Sequence, residues 1–171
     1  PRPDTEVLVE EALTWLHAHP SPKDHPPVVI DACTGTGCVG LALLSELPLK
    51  LFMTELSHEA LKVAERNTSR LSQQGLLKAT PKLLQGDLLS PIKALDQPPS
   101  LIVSNPPYIP ASELVELMPE VRDYEPHLAL EGGGELGLEL PLRLLKEAVE
   151  LLASGGALMM EVGWNQTEEV A

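Results

Sequence analysis

The chain has little positive charge. Its 171 residues include 12 Lys and Arg against 25 Asp and Glu, which gives a formal net charge of −13 at pH 7. A surface of this sign repels phosphate backbones unless the basic residues are gathered in one place, and the sequence contains no such cluster. The composition therefore argues against direct binding of nucleic acid.

Cysteine is also scarce. The two cysteines, Cys33 and Cys38, lie within one short segment, which suits neither a disulfide framework nor a zinc site that lacks two further ligands. The five histidines are scattered without the spacing of a ligand set. We therefore expect no metal site, and we expect reduced cysteines in an intracellular protein, either cytoplasmic or mitochondrial.

Long hydrophobic runs are missing. No apolar stretch approaches the length that crosses a bilayer, and the opening residues lack the pattern of a signal peptide, so we expect no membrane contact. With 43% hydrophobic residues, residues 1–171 are expected to form one globular domain with a core. Because the chain begins without Met, we expect it to be a processed or trimmed piece of something longer.

Short apolar runs alternate with segments of helical periodicity. The pattern predicts an opening helix with Asp4 as its N-cap, a helix over 39–47, a helix capped by Ser57 and a helix over 138–152. Strands are predicted over 28–31, 49–54, 82–85, 101–104 and 157–162, while 109–137 reads as a long functional loop. This order favours an open, parallel, doubly wound α/β sheet with strand one central and strand four beside it.

A glycine-rich turn, residues 31–40, follows the first predicted strand. Gly35, Gly37 and Gly40 match the dinucleotide-binding fingerprint, and Glu55 stands twenty residues beyond Gly35, where an acid binds ribose hydroxyls. The spacing does not separate a nicotinamide cofactor from S-adenosylmethionine, because both carry a ribose diol. A turn that serves only to reverse the chain is the plainer alternative.

Asp87 follows Gly86 after the third predicted strand. At this edge of the sheet its carboxylate is placed to accept a hydrogen bond from an adenine amino group. An ordinary helix cap is the alternative reading.

The sequence Asn105-Pro106-Pro107-Tyr108 follows the fourth predicted strand and is the most specific motif in the chain. Both prolines lack an N–H and stiffen the segment, so it presents acceptors rather than donors. The Asn105 side-chain oxygen and the Pro106 carbonyl are suited to accept the two hydrogens of a planar amino or amide nitrogen, and Tyr108 is suited to stack on that group. Fixed acceptors and in-line placement against a sulfonium methyl are what methylation of such a nitrogen needs, which favours S-adenosylmethionine over nicotinamide.

With these motifs the chain resembles the HemK/PrmC-like glutamine methyltransferases, which methylate the Gly-Gly-Gln side-chain amide of class 1 translation release factors. The resemblance runs through 1–6, 31–37, Glu55, Gly86-Asp87, 105–108, Glu125-Pro126 with Ala129-Leu130 and the glycines after it, and 161–163 with Gln166. It implies a Rossmann-like class I methyltransferase fold, truncated before the terminal hairpin and without the N-terminal substrate-docking domain. It implies S-adenosylmethionine as cofactor, S-adenosylhomocysteine as product and a release factor as protein partner.

The resemblance also assigns roles to residues. The expected cofactor-binding residues are Asp31, Thr34, Gly35, Gly37, Glu55, Asp87 and Asn105. The expected catalytic residues are Asn105, Pro106 and Tyr108, and the same three with Pro107 are expected to bind the substrate. The sequence departs from the family in having Cys33 where a glycine is usual, and in having a longer block 132–138 with Glu135-Leu136 in place of Asp-Gly.

Three alternatives stay open at this point. An amino methylase of adenine or cytosine in DNA or RNA shares the Asn-Pro-Pro-Tyr motif but is disfavoured by the acidic charge. A dinucleotide-dependent oxidoreductase shares the glycine turn. A catalytically inactive cofactor-binding scaffold of the same fold is favoured by Cys33.

Overall fold

The structure is a computed structural model that describes residues 3–21, 25–92 and 95–170. Its helices are α1 (Pro3–Ala18), α2 (Cys38–Glu46), α3 (His58–Gln73), α4 (Pro119–Arg122), α5 (Glu139–Leu151) and α6 (Thr167–Val170), with 3₁₀ turns at Ala111–Glu116 and His127–Ala129. Its strands are β1 (Val28–Ala32), β2 (Lys50–Glu55), β3 (Lys82–Gln85), β4 (Leu101–Ser104) and β5 (Ala157–Met160). Pro1 and Arg2, part of the segment that carried the resemblance, lie outside the described residues.

The five strands form one sheet in the order β3-β2-β1-β4-β5, and every neighbouring pair is parallel. In the register, Ile30 of β1 pairs with Phe52 of β2 on one side and Ile102 of β4 on the other. All five residues of β1 are buried, as expected for a β-branched run covered on both faces. The predictions of a parallel sheet, a central first strand and an adjacent fourth strand are therefore confirmed.

Helices cover both faces of the sheet. Alternate residues of a strand point to opposite faces, so Val29 packs in the cluster built with α1, α2 and α3, whereas Ile30 packs in the cluster built with α5. Leu43 of α2 and Leu144 of α5, both fully buried, mark the two layers. The carboxyl ends of the strands are left to be covered by loops, and this is where ligands bind in open α/β sheets.

Three local predictions need correction. Asp4 is not an N-cap, because α1 already includes Pro3 and therefore places Asp4 in its first turn. A negatively charged side chain in the first turn interacts favourably with the helix dipole. β5 ends at Met160 rather than at 162, because its ladder partner β4 ends at Ser104, ahead of the prolines. The stretch 109–137 contains short helical turns, so it is not wholly irregular. By contrast, Ser57 caps α3 as predicted, its Oγ accepting from Ala60 N at 3.3 Å.

Candidate functional site

A cavity of about 340 Å³ lies at the carboxyl edge of the sheet. Its volume falls in the range of small-molecule pockets. Gly35, after β1, and Asn105, after β4, both line it, which confirms the prediction that they share one edge. The other site residues predicted from the sequence that line the cavity are Asp31, Thr34, Glu55, Asp87, Pro106, Pro107 and Tyr108.

Asp31 stabilises the glycine turn through hydrogen bonds to its buried carboxylate. Its carboxylate is buried, and Oδ2 accepts hydrogen bonds from Thr34 Oγ1 at 2.5 Å and from Gly40 N at 2.8 Å. The helix α2 approaches the strand so closely that a Cβ on Gly40 would lie 2.8 Å from Asp31 Oδ2. Asp31 and Thr34 therefore fix the shape of the turn, whatever further contact they make with a ligand.

Gly35 and Gly37 have different surroundings. Gly35 has a φ of +56°, and a Cβ added there would meet nothing within 4 Å, so a ligand has room to approach the backbone. Gly37 has a φ of +85°, but its Cβ would lie 2.8 Å from Met53 Cε and 3.4 Å from Ala64 Cβ. Gly37 is buried against the core and is not among the residues that line the cavity. Its glycine is explained by close packing and the left-handed turn.

Cys33 occupies a backbone conformation that favours glycine. Its φ is +54°, in the left-handed region, and burial raises the pKa of its thiol to about 12. The thiol is therefore a poor nucleophile at neutral pH, because the thiolate is the reactive form. The geometry also accounts for the glycine that the resembling family usually carries at this position.

We expect Cys33→Gly to be more stable than Cys33→Ala. Both variants remove the thiol, but only glycine relieves a left-handed conformation that costs other residues about 1–2 kcal/mol. Part of this gain is offset by the greater freedom of glycine in the unfolded chain, about 0.4–1 kcal/mol, so the net difference is up to about 1.5 kcal/mol. Urea unfolding of the two variants measures it, and a glycine variant less stable than the alanine variant would contradict the assignment of strain.

Glu55 is held in place by two backbone amides. Its Oε2 accepts from Gly35 N at 2.9 Å and its Oε1 accepts from Ser57 N at 2.8 Å. A carboxylate has about four acceptor positions, so both oxygens keep capacity for further donors. A carboxylate fixed in this way, at the wall of the cavity, is suited to accept hydrogen bonds from a diol.

Asp87 takes part in an ion pair that the sequence did not indicate. Its Oδ2 accepts from Arg143 Nη2 at 2.6 Å, and Glu147 Oε1 lies 3.7 Å from the same nitrogen. The hydrogen bond from Arg143 to Asp87 raises the pKa of that guanidinium. Arg143 therefore anchors the Asp87 side chain from α5, which packs on the face of the sheet opposite to α2.

Asn105 belongs to a compact hydrogen-bonded group. Its Nδ2 donates to Thr5 Oγ1 at 3.1 Å and to Glu161 Oε2 at 2.8 Å. The Thr5 hydroxyl in turn donates to Glu161 Oε2 at 2.9 Å, and the Tyr108 hydroxyl donates to Glu161 Oε1 at 3.1 Å. The amide nitrogen of Asn105 is thus turned toward Glu161, and Oδ1 is left as its acceptor.

The glycine block 132–137 packs directly on the motif backbone. A Cβ on Gly137 would lie 2.2 Å from the carbonyl oxygen of Tyr108, so only glycine fits there. Gln166 Nε2 donates to that same Tyr108 carbonyl at 2.8 Å and to Leu136 O at 2.7 Å. Ile109 N donates to Leu130 O at 2.9 Å. These contacts join the 109–137 stretch to the Asn-Pro-Pro-Tyr motif. The stretch also contributes lining residues to the cavity, among them Ile109, Pro126 and Leu130.

Sequence reasoning assigned no role to Thr5, Glu161 or Arg143. Glu161 follows β5 directly, so the rule that carboxyl ends of parallel strands meet at one edge would have found it. The signal was hidden because the predicted strand ran on to 162 and placed Glu161 inside it. Thr5 and Arg143 reach the site from helices, and their spacing in sequence gives no indication of this.

Two negative findings apply to the described part of the chain only. Within it, no three His, Cys, Asp or Glu side chains are grouped so as to hold a metal ion. None of its helices combines the length and the apolar character that a membrane span requires.

Residues 13–138 match the model of the family described as methyltransferase small domain. The chain belongs to this methyltransferase family. It is 43% identical over 171 residues to a release factor glutamine methyltransferase of Geobacter sulfurreducens, covering 99% of this chain and 55% of that protein. It is 40% identical over 173 residues to a protein of the same name from Bradyrhizobium diazoefficiens, covering 99% of this chain and 54% of that protein. The resemblance stated from the motifs is confirmed, and the chain spans about half the length of these relatives.

Solved structures of methyltransferases share the fold. A methyltransferase from Pyrococcus furiosus superposes with a TM-score of 0.57 at 22% identity, covering 95% of this chain and 66% of that one. The N-terminal domain of human METTL16, solved in complex with SAH, gives a TM-score of 0.57 at 20% identity, covering 95% of this chain and 60% of that one. The predicted Rossmann-like class I methyltransferase fold is therefore confirmed.

The ionisation of Asp31 makes folding of this methyltransferase domain pH-dependent. Burial raises its pKa from 3.8 to about 6. Between these values the folded chain keeps a proton that the unfolded chain releases, so this group's contribution to stability falls as pH rises through the window and is constant above it. We expect the free energy of unfolding of the wild type, minus that of Asp31→Asn, to fall by roughly 2–3 kcal/mol between about pH 4 and pH 7. Urea titrations at several pH values measure this, and a difference that is flat or rises with pH would contradict it.

Proposed function

We propose that this chain is the cofactor-binding domain of an S-adenosylmethionine-dependent N-methyltransferase that acts on the side-chain amide of a protein glutamine. The substrate we propose is the Gly-Gly-Gln motif of a translation release factor. The names of the relatives support the substrate and the partner. The acidic net charge supports a protein substrate over DNA or RNA.

The residues around the cavity fit S-adenosylmethionine. The open space over Gly35 admits a ligand close to the backbone, and the fixed Glu55 carboxylate suits a ribose diol. Asp87, held at the rim by Arg143, suits the amino group of an adenine. The cofactor supplies an electrophilic methyl group on a sulfonium and is converted to S-adenosylhomocysteine.

The orientation of the Asn105 amide is the observation that carries the proposal. With Nδ2 bonded to Thr5 and Glu161, Oδ1 is the acceptor that remains on the Asn105 side chain, and Pro106, which lines the cavity beside it, carries a backbone carbonyl. We infer that these two oxygens face the substrate. Two adjacent acceptors match the two hydrogens of a primary amide nitrogen. By holding those hydrogens they draw electron density onto a nitrogen whose lone pair is otherwise delocalised, and they orient it for in-line attack.

Tyr108 supports the same arrangement. Tyr108 lines the cavity, and its hydroxyl donates to Glu161, which restricts the position of the ring. We infer that the planar amide of the substrate stacks on this ring. Pro107 lines the cavity beside it and stiffens the loop. A cytoplasmic or mitochondrial location, and the absence of nucleic-acid and membrane partners, stay predictions.

A binding titration followed by a turnover assay tests the proposal. We expect S-adenosylmethionine to bind in preference to a nicotinamide dinucleotide, and the full-length protein to transfer labelled methyl to a release factor but not to DNA or RNA. Binding without transfer to any substrate would instead indicate an inactive scaffold. Preference for the nicotinamide would indicate an oxidoreductase, and label on nucleic acid would indicate an amino methylase.

A further inference from the structure

We propose that Glu161 and Thr5 are positioning residues that set the orientation of the Asn105 amide for catalysis. Three atoms form a triangle: Asn105 Nδ2 lies 2.8 Å from Glu161 Oε2 and 3.1 Å from Thr5 Oγ1, and the two oxygens lie 2.9 Å apart. The inference rests on the proposed function and adds to it a positioning role for two residues outside the Asn-Pro-Pro-Tyr motif.

The chemistry of the triangle permits one orientation of the amide. An ionised carboxylate only accepts hydrogen bonds, so it must face the NH₂ of Asn105 rather than its oxygen. The Thr5 hydroxyl donates its single proton to Glu161 and is left with lone pairs for Asn105. A flipped amide would place Oδ1 against two oxygens, one of them charged. Glu161 and Thr5 together therefore keep Oδ1 as the acceptor offered to the substrate.

The flipped amide would also be wrong for the reaction. It would offer donors to a substrate nitrogen that itself carries hydrogens, and the Asn105 contribution to binding and polarising that nitrogen would be lost. Glu161 further accepts from the Tyr108 hydroxyl through its other oxygen, so one carboxylate holds both side chains of the motif. Thr5, only 4% exposed, makes the first turn of α1 part of the site.

Kinetics of single variants in the full-length protein test the positioning role. Glu161→Ala should lower kcat by about 10–100-fold, the scale expected when a reacting group is misplaced by about 1 Å, with S-adenosylmethionine affinity unchanged within about twofold. Thr5→Val should lower kcat by a smaller factor. Thr5→Ser should keep a kcat close to that of the wild type, because it keeps the hydroxyl.

Glu161→Gln should retain most activity, since its amide oxygen still accepts from Thr5 and Asn105 while its NH₂ faces Tyr108. Glu150→Ala is the matched control, because it removes the same charge from an exposed position on α5. It should leave kcat unchanged.

A double-variant cycle shows whether Glu161 and Thr5 act through Asn105. In an Asn105→Ala background, Thr5→Val should have almost no further effect on kcat, because the group it positions is gone. Additive losses, or a kcat unchanged in Glu161→Ala, would overturn the inference. If Glu161→Ala does not fold, the Thr5→Val and Thr5→Ser pair and the cycle built on it still decide the question.

A readout without turnover separates this inference from the proposed function. In NMR spectra of the ligand-free protein, the Asn105 side-chain NH₂ should be protected from hydrogen exchange, and Glu161→Ala should remove the protection. If no substrate amide is methylated but the protection behaves as expected, the proposed function fails and the fixed orientation stands. If methylation proceeds but the NH₂ is unprotected in the wild type, the positioning inference is the part that fails.

Discussion

Replacing Asn105 by alanine is expected to lower turnover by about 10²–10³ while leaving the affinity for S-adenosylmethionine within a few fold. The side chain accepts from the target nitrogen, and this hydrogen bond strengthens as positive charge develops on that nitrogen. The loss should therefore appear in kcat, as when one donor of an oxyanion hole is removed. Steady-state kinetics on a release factor and calorimetry with the cofactor measure the two effects separately. An Asn105→Ala variant that methylates at the wild-type rate would show that the mechanism is wrong.

Asn105→Asp is the sharper companion variant. It keeps an acceptor toward the cavity, so partial activity is expected. The structure adds a pH dependence: its second oxygen would replace Nδ2, which lies 2.8 Å from Glu161 Oε2. Two carboxylates at that distance cannot both ionise readily, so the active form of the variant holds one shared proton. We expect the relative activity of Asn105→Asp, compared with the wild type, to rise as pH falls, and a flat ratio would count against the contact.

Replacing Glu55 by alanine is expected to weaken binding of S-adenosylmethionine at least tenfold. Each hydrogen bond from a ribose hydroxyl to a carboxylate is worth about 1.5–3 kcal/mol, and two are expected here. Calorimetry on the wild type and on Glu55→Ala measures the change. An unchanged affinity would make Glu55 purely structural and remove the main support for the cofactor assignment.

The structural role of Glu55 has to be separated from its ligand role. The same carboxylate holds Gly35 N and Ser57 N, so its removal also loosens the turn. An analogue of the cofactor without ribose hydroxyls provides the control. It should bind the wild type more weakly than the cofactor does, and it should lose little further affinity in Glu55→Ala. Equal losses for the cofactor and the analogue would assign the whole effect to the turn.

The fold could be read from the sequence because its signals are local. The buried β-branched run of β1 and the helical periodicity of α3 each depend on a few neighbouring residues, and parallel topology follows from their alternation. The cavity edge followed as well, since residues after parallel strands meet at one side of the sheet. Gly35, Glu55 and Asn105 were placed together on that rule.

The rest of the site depends on contacts between distant parts of the chain. Thr5 and Asn105 are 100 residues apart, and Arg143 lies 56 residues from Asp87. No periodicity connects such pairs, and only docking of α1 and α5 on the sheet brings them together. Gly37 shows the converse: its spacing fits a ligand-binding fingerprint, but its surroundings are Met53 and the core. Spacing alone does not say which side of a turn faces the ligand.

Mass spectrometry of a release factor incubated with the full-length protein and S-adenosylmethionine tests the central claim most directly, because it locates the transferred methyl group. We predict one added methyl on the side-chain amide of the glutamine in the Gly-Gly-Gln peptide, and its appearance about 10²–10³-fold more slowly when the enzyme carries Asn105→Ala. A methyl group found on another residue, or an unmodified glutamine in the presence of bound cofactor, would contradict the account.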